Sequence, residues 1–238
     1  MAEGRRLGVK VFADGANLSN MLDLAENPII SGFTTNPTLM RRAGVDDYEG
    51  FARKVLDHIT DRPVSFEVFS DDFEEMRDQA YRIASWGDNV CVKIPVTDTH
   101  GASSAPLVAD LTADGLHLNV TALLSLDQVR TMAASLAASP GAVVSVFAGR
   151  IADTGRDPVP LMASAVEILA EYPTLELLWA SPREILNVSQ AESVGCHIIT
   201  VTPDLLEKLS GLGRSLEEVS LDTVRMFHRD AAASGYLL

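Results

Sequence analysis

Lysine is scarce in this chain: Lys10, Lys54, Lys93 and Lys208 are its only four, against fifteen arginines. A lysine at any given position is therefore less easily read as a random basic choice. Cysteine is scarcer still. Cys91 and Cys196 lie in the apolar runs VCVKI and GCHIITV and have neither C-x-x-C nor metal-ligand spacing, which leaves them as small buried hydrophobes. None of the five histidines has ligand spacing to another, so no metal site is expected. No G-x-G-x-x-G follows the first strand-like run and no G-x-x-x-x-G-K-[ST] occurs, which argues against a doubly wound nucleotide-binding sheet. The fragment GLGRS (211–215) follows a helix-like stretch and is discounted. No apolar segment is long enough to span a bilayer, and the arginine pair at Arg5–Arg6 precedes no apolar signal core, so a cytoplasmic protein is expected. Excess positive charge is lacking as well. A net charge of −14 argues against nucleic acid and anionic membranes as partners, and a phosphorylated ligand would have to be captured by local arginines.

What is present is a steady alternation. With 238 residues, 47% of them hydrophobic, and a mean hydropathy of +0.12, the chain can bury a full core. Eight short β-branched runs can be counted: 9–14, 32–36, 64–69, 90–95, 116–121, 143–148, 176–181 and 197–201. Helix-like segments lie between them. SLDQ (125–128) and SLEE (215–218) have capping-box spacing, and Pro158, Pro182 and Pro203 sit where helix starts tolerate proline. The stretch DDFEEMRDQAYRIASWG carries its acids early and Gly87 just past its end. Eight βα units of about 30 residues with no low-complexity linker predict one (β/α)8 barrel over residues 1–238. An extra helix is expected at Leu216–Ser234.

Lys93 stands in the middle of one such run, GDNVCVKIPVTD. Burying an ammonium disfavours its charged form, so a core lysine tends toward a neutral, nucleophilic amine suited to Schiff-base chemistry. The plainer alternatives are a head group that snorkels to water or pairs with a carboxylate, and this segment alone favours them. Ile94–Pro95 follow at once, however, and proline cannot continue a central ladder, so the lysine falls at the strand's carboxyl end. That is where barrel enzymes keep their active sites.

Alternation along each strand assigns the remaining faces. With Lys93 pointing into the barrel, Cys91 joins it and Val90, Val92 and Ile94 face the helices. The inward sets of the other strands are Lys10, Phe12 and Asp14; Ser65, Glu67 and Phe69; His117, Asn119 and Thr121; and Ser145 with Phe147. Each polar member has a structural explanation by itself. Asp14 could cap the first helix, Asn36 before Pro37 could be a turn asparagine, and Glu67 could pair with an arginine. Their coincidence with an internal lysine weighs against the structural explanation for all of them. His117, deeper on its strand, reads as a hydrogen-bonded core histidine.

The stretches FADGAN, GFTTNPTLM, VCVKIPVT, LHLNVTALLSLDQ, VVSVFAGRIAD and LLWASPRE together resemble the transaldolase and fructose-6-phosphate aldolase family, in register and in order from about residue 9 to 203. The resemblance implies a (β/α)8 class I aldolase with a Schiff-base lysine on strand four and no metal or organic cofactor. Carried onto this sequence, it implies that Lys93 attacks the C2 carbonyl of a ketose phosphate and that Asp14 takes the proton from the C4 hydroxyl. Glu67 and Thr121 would hold the water that shuttles protons. Asn36, Asn119 and Ser145 would bind hydroxyls of the dihydroxyacetone portion, and Arg150, Ser181 and Arg183 the phosphate, with Arg183 at a helix start. Aldolases of the family carry a tyrosine three residues before the strand-six arginine, where this chain has Phe147.

Two departures concern specificity. Gly15 stands where the family usually has a hydroxyl residue, and the loop VTDTHGASSAP is long and is expected to bring His100 to the mouth. The leading expectation is a transaldolase that moves dihydroxyacetone from fructose 6-phosphate or sedoheptulose 7-phosphate to an aldose phosphate, in pentose-phosphate metabolism or a specialised sugar pathway. The alternatives are an aldolase releasing free dihydroxyacetone and, against the intact Lys93, Asp14 and Glu67 set, a non-catalytic sugar-phosphate binder. A homo-oligomer is expected.

Overall fold

The β-branched runs form eight parallel strands: β1 (Lys10–Asp14), β2 (Ile30–Thr34), β3 (Val64–Glu67), β4 (Val90–Pro95), β5 (Leu118–Leu123), β6 (Ala142–Val146), β7 (Leu175–Trp179) and β8 (Ile198–Val201). They pair in sequence order, and β8 returns to β1 to close the barrel. The computed structural model describes residues 7–235. The helices are α1 (Leu18–Ala25), α2 (Pro37–Arg42), α3 (Tyr48–Leu56), α4 (Phe73–Ala84), α5 (Ala105–Ala113), α6 (Leu126–Ser135), α7 (Ala148–Ala152), α8 (Val159–Leu169), α9 (Leu186–Ser193), α10 (Pro203–Leu206) and α11 (Leu216–Ser234). The expected (β/α)8 architecture and its additional C-terminal helix are both present.

The outward strand faces form the main core. Val64, Phe66, Val92, Ile94, Val120, Val144 and Trp179 are buried against the surrounding helices. Inside the barrel, Phe12, Leu178, Ala180 and Ile198 make a second, smaller apolar cluster. Its close packing explains Gly32, where an added Cβ would come within 2.6 Å of the Phe12 ring. Local signals hold the helices in place. Ser125 and Gln128 form the reciprocal capping box that starts α6, Asp72 caps α4 and Ser215 caps α11.

Several expected boundaries move, each for a local reason. β2 begins and ends two residues early because Asn36 caps α2 with Pro37 in its first turn. β3 stops at Glu67, so Phe69 is not an inward residue; it is exposed and packs on Tyr48. β5 starts after the left-handed Gly115, which leaves His117 exposed at the amino-terminal end of the barrel rather than in the core. Pro203 opens α10 as expected and Pro158 precedes α8, but Pro182 lies in the loop before α9. Gly87 is not the cap of α4, whose C-cap is Ser85.

Candidate active site

At the carboxyl ends of the strands a cavity of about 560 Å³ opens, lined by every residue to which the family resemblance gives a catalytic or binding role. Lys93 is its innermost cation and only 5% exposed. Its side chain turns from β4 toward the ends of β3 and β2, where Nζ donates to the Thr35 carbonyl at 2.8 Å and pairs with Glu67 Oε2 at 2.9 Å. Glu67 is the register partner of Lys93 on β3, so the pair follows directly from strand alignment. The lysine therefore does not snorkel but does pair with a carboxylate, the other plain alternative, and the partner of Glu67 is this lysine rather than an arginine.

Asp14 enters from the end of β1. Thr34, its register partner on β2, donates to its Oδ1 at 2.8 Å, and Thr34 in turn is bonded to Thr200 on β8. Burial holds the Asp14 carboxyl above the usual aspartate range; the nearby Lys93 charge and the Thr34 bond oppose that shift, and the Glu67 charge adds to it. Asp14 does not cap α1, because Asn17 does.

The floor on the β5–β6 side is a hydrogen-bonded series. Ser145 Oγ donates to Asn119 Oδ1 at 2.7 Å, and Asn119 Nδ2 donates to Ser65 Oγ at 3.2 Å. Asn119 is thereby held in one orientation. Thr121 is buried with no partner for its hydroxyl among the described residues. Asn36 does act as a cap, its Oδ1 accepting from Leu39 N at 3.0 Å, and it still lines the cavity. Beneath the floor, Cys91 does point inward, its thiol pushed up to about 12 by burial, as is that of Cys196.

The arginines stand on the segments that follow β6 and β7. Arg150, in the last turn of α7, has its guanidinium carbon 5.8 Å from the Phe147 ring centroid. Phe147 packs against the Phe12, Leu178, Ala180 and Ile198 cluster inside the barrel. Ser181 adopts φ 61°, a left-handed conformation, in the loop after β7. Gly149 lets α7 lie directly on that loop, since a Cβ there would fall 1.5 Å from the Ser181 carbonyl oxygen. Arg183 precedes α9 by three residues and so is not at a helix start; Asn187 Oδ1 accepts from its N–H at 2.7 Å. Its guanidinium is gripped by Asp153 through Nε at 2.9 Å and Nη2 at 2.5 Å. The hydrogen bonds from Arg183 hold the Asp153 carboxyl below the usual range, and the same bonds raise Arg183.

The long loop after β4 does not bring His100 to the cavity. Asp98 accepts from the N–H groups of His100 and Ala102, Thr99 bonds to Asp71, and the His100 side chain is exposed. At Gly15 a Cβ would meet nothing within 4 Å, so the missing hydroxyl residue reflects no steric demand. Residues without an assigned role in the sequence reading also line the cavity: Thr34 and Thr200, which support Asp14, and Arg42 at the end of α2. Thr34 shares a strand face with Asn36 and Thr200 with Ile198, a parity signal in both cases; Arg42 carries none.

Residues 11–236 match the family model described as Transaldolase/Fructose-6-phosphate aldolase. A protein of Nitrosopumilus maritimus named "Probable transaldolase" is 34% identical over 220 residues, 90% of this chain and 92% of that one. One of the same name from Chelativorans sp. is 37% identical over 204 residues, covering 84% and 88%. Among solved structures a mandelate oxidase superposes with a TM-score of 0.55 at 17% identity over 84% of this chain and 67% of that one, a likeness of fold alone.

Proposed function

The chain belongs to the transaldolase/fructose-6-phosphate aldolase family, and from that premise we propose that it transfers a dihydroxyacetone unit from a ketose phosphate to an aldose phosphate through a Schiff base on Lys93. The observation that carries the reading is the buried Lys93 amine, held by Glu67 and Thr35 at the carboxyl end of β4 in the same cavity as Asp14.

In this mechanism Glu67 accepts a proton from the Lys93 ammonium, and the free amine adds to C2 of fructose 6-phosphate or sedoheptulose 7-phosphate. Loss of water from the carbinolamine gives an iminium. The partnerless Thr121 hydroxyl supports a water shared with Glu67 that relays these protons. Asp14 then removes the C4 hydroxyl proton, the C3–C4 bond breaks, and its electrons pass into the iminium to leave a neutral enamine and an aldose phosphate. The raised affinity of Asp14 for a proton suits both removing that proton and returning it to the new alkoxide. Addition of C3 to the acceptor aldehyde and hydrolysis of the iminium complete the transfer. Asn36, Asn119 and Ser145 hold the hydroxyls of the three-carbon unit, and Arg150, Ser181 and Arg183 the phosphate, for which guanidinium forks are well shaped.

Phe147 favours transfer over release. A phenyl ring donates no proton to the enamine and keeps water from it, so the intermediate persists until an acceptor arrives. The enzyme would work in the cytoplasm on central or specialised sugar phosphates. Among the described residues, no helix is long and apolar enough to cross a membrane. We also read the chain as a homo-oligomer, because no residue of α11 is buried and Leu216, Val219, Val224 and Phe227 on it are exposed. Light scattering on the full chain tests that reading, and a monomer at micromolar concentration rejects it.

The central experiment is borohydride reduction in the presence of fructose 6-phosphate followed by peptide mapping. Inactivation with a covalent adduct on Lys93 is expected. An adduct on Lys10, which pairs with Glu176 at the amino-terminal end of β1, or on none of the lysines, rejects the mechanism.

A further inference from the structure

Tyr48 opens α3, and its ring stands edge-on to Phe66, Phe69 and Trp86 at centroid distances of 6.2, 5.5 and 5.4 Å. Its hydroxyl lies against the Thr35 side chain and makes two backbone bonds to a single residue. It accepts from the Glu67 N–H at 2.8 Å and donates to the Glu67 carbonyl at 2.9 Å. Burial raises the phenol above its usual range, so it keeps the proton that the second bond requires.

The reason for this double bond lies in the β2–β3 ladder. In a parallel pair, alternate residues of one strand present both N–H and C=O to the same neighbour. Here Phe33 N–H donates to the Pro63 carbonyl and Thr35 N–H to the Ser65 carbonyl. One further step would send the Glu67 N–H to the Thr35 carbonyl and require an N–H from residue 37 for the Glu67 carbonyl. Residue 37 is Pro37, which has none. The Thr35 carbonyl is instead bonded to Lys93 Nζ. Tyr48 thus stands where the next strand residue would be, and the carbonyl it releases is one of the two acceptors at the lysine.

We propose that Tyr48 is a positioning residue for Lys93: by completing both backbone bonds of Glu67 it leaves the Thr35 carbonyl to hold the amine and fixes the backbone from which the Glu67 carboxylate meets it. The proposal rests on the reading of Lys93 as the Schiff-base residue. In Tyr48→Phe the ring contacts remain, but the Glu67 N–H is released to compete for the Thr35 carbonyl.

Reductive trapping of the full-length enzyme at saturating fructose 6-phosphate tests it. Loss of one net hydrogen bond at the amine is worth about tenfold, so Tyr48→Phe should be trapped about tenfold more slowly with KM changed less than twofold. Phe69→Ala, which strips a ring neighbour but keeps the hydroxyl, should leave both within twofold. With only four lysines, carbon-13 labelling of lysine also resolves the Lys93 side chain by NMR in the substrate-free enzyme. Its signal should move in Tyr48→Phe and stay in place in Phe69→Ala. Wild-type trapping kinetics with an unmoved lysine signal, or equal changes in both variants, overturns the role of Tyr48. A wild type that is never trapped overturns the Schiff-base reading instead, and the lysine spectrum then decides the role of Tyr48 by itself.

Discussion

Lys93 and Glu67 face each other across the β3–β4 ladder, paired in register, with Nζ 2.9 Å from Oε2. Both side chains are largely withdrawn from water, at 7% and 17% exposure, so each is the other's main compensation. The carboxylate is thus already in contact with the amine that, in the proposed mechanism, gives up a proton. Glu67→Gln keeps the shape and removes the acceptor. General acid–base groups contribute about 10²–10⁴-fold, so kcat should fall by at least about 10²-fold, with a much smaller change in KM for fructose 6-phosphate. Steady-state kinetics of transfer decide it; a change confined to KM would remove Glu67 from the proton relay.

Asp14 gives a prediction with opposite signs for activity and stability. Burial makes the folded chain hold the Asp14 proton more tightly than the unfolded chain does. Its favourable contribution is therefore complete below about pH 4, where an unfolded aspartate titrates, and is lost as pH rises through the higher folded value. Asp14→Asn removes that neutral-pH cost. The variant should melt at higher temperature than wild type at pH 7, with the difference shrinking toward pH 4, while transfer is largely lost. Melting curves at the two pH values check the sign, and a variant less stable at pH 7 would contradict it.

Arg183 is oriented by Asp153, which occupies one edge of its guanidinium and leaves the other edge for an anion. A hydrogen bond to a charged group is worth about 1.5–3 kcal/mol, or about 10- to 150-fold. Arg183→Ala should raise KM for phosphorylated donors by that order and change that for free dihydroxyacetone far less. Asp153→Asn should fall between, because the arginine remains but is no longer held. Equal effects on phosphorylated and free donors would refute the assignment.

In the proposed reading Phe147 separates transferase from lyase. With no acceptor present, wild type should release little dihydroxyacetone, and Phe147→Tyr should raise that release while lowering transfer, as its hydroxyl brings a proton donor to the enamine. Coupled assays at matched donor concentration measure both rates. Release by wild type as fast as transfer would replace the transaldolase reading with the aldolase one.

What the sequence determined by itself is whatever depends on near neighbours in the chain. Alternation in VCVKIP set Lys93 inward between the buried Val92 and Ile94, and Pro95 put it near a strand end. The same alternation selected Asp14, Glu67, Asn119 and Ser145, and Ser125 with Gln128 marked a helix start that the structure reproduces. Period-two geometry and capping are local rules, so a few residues suffice to express them. Strand ends were less legible. Asn36, Phe147 and Ser181 leave their strands because of the helix or loop that follows, and His117 lies outside the core because the turn at Gly115 delays β5. Only the tertiary structure decided which groups meet. Thr35 and Lys93 lie 58 residues apart, Arg183 and Asp153 30, and Tyr48 and Glu67 19. Those contacts arise when the barrel closes and its helices settle against it, since register, helix position and a proline's missing N–H together determine which backbone groups are left for side chains to satisfy.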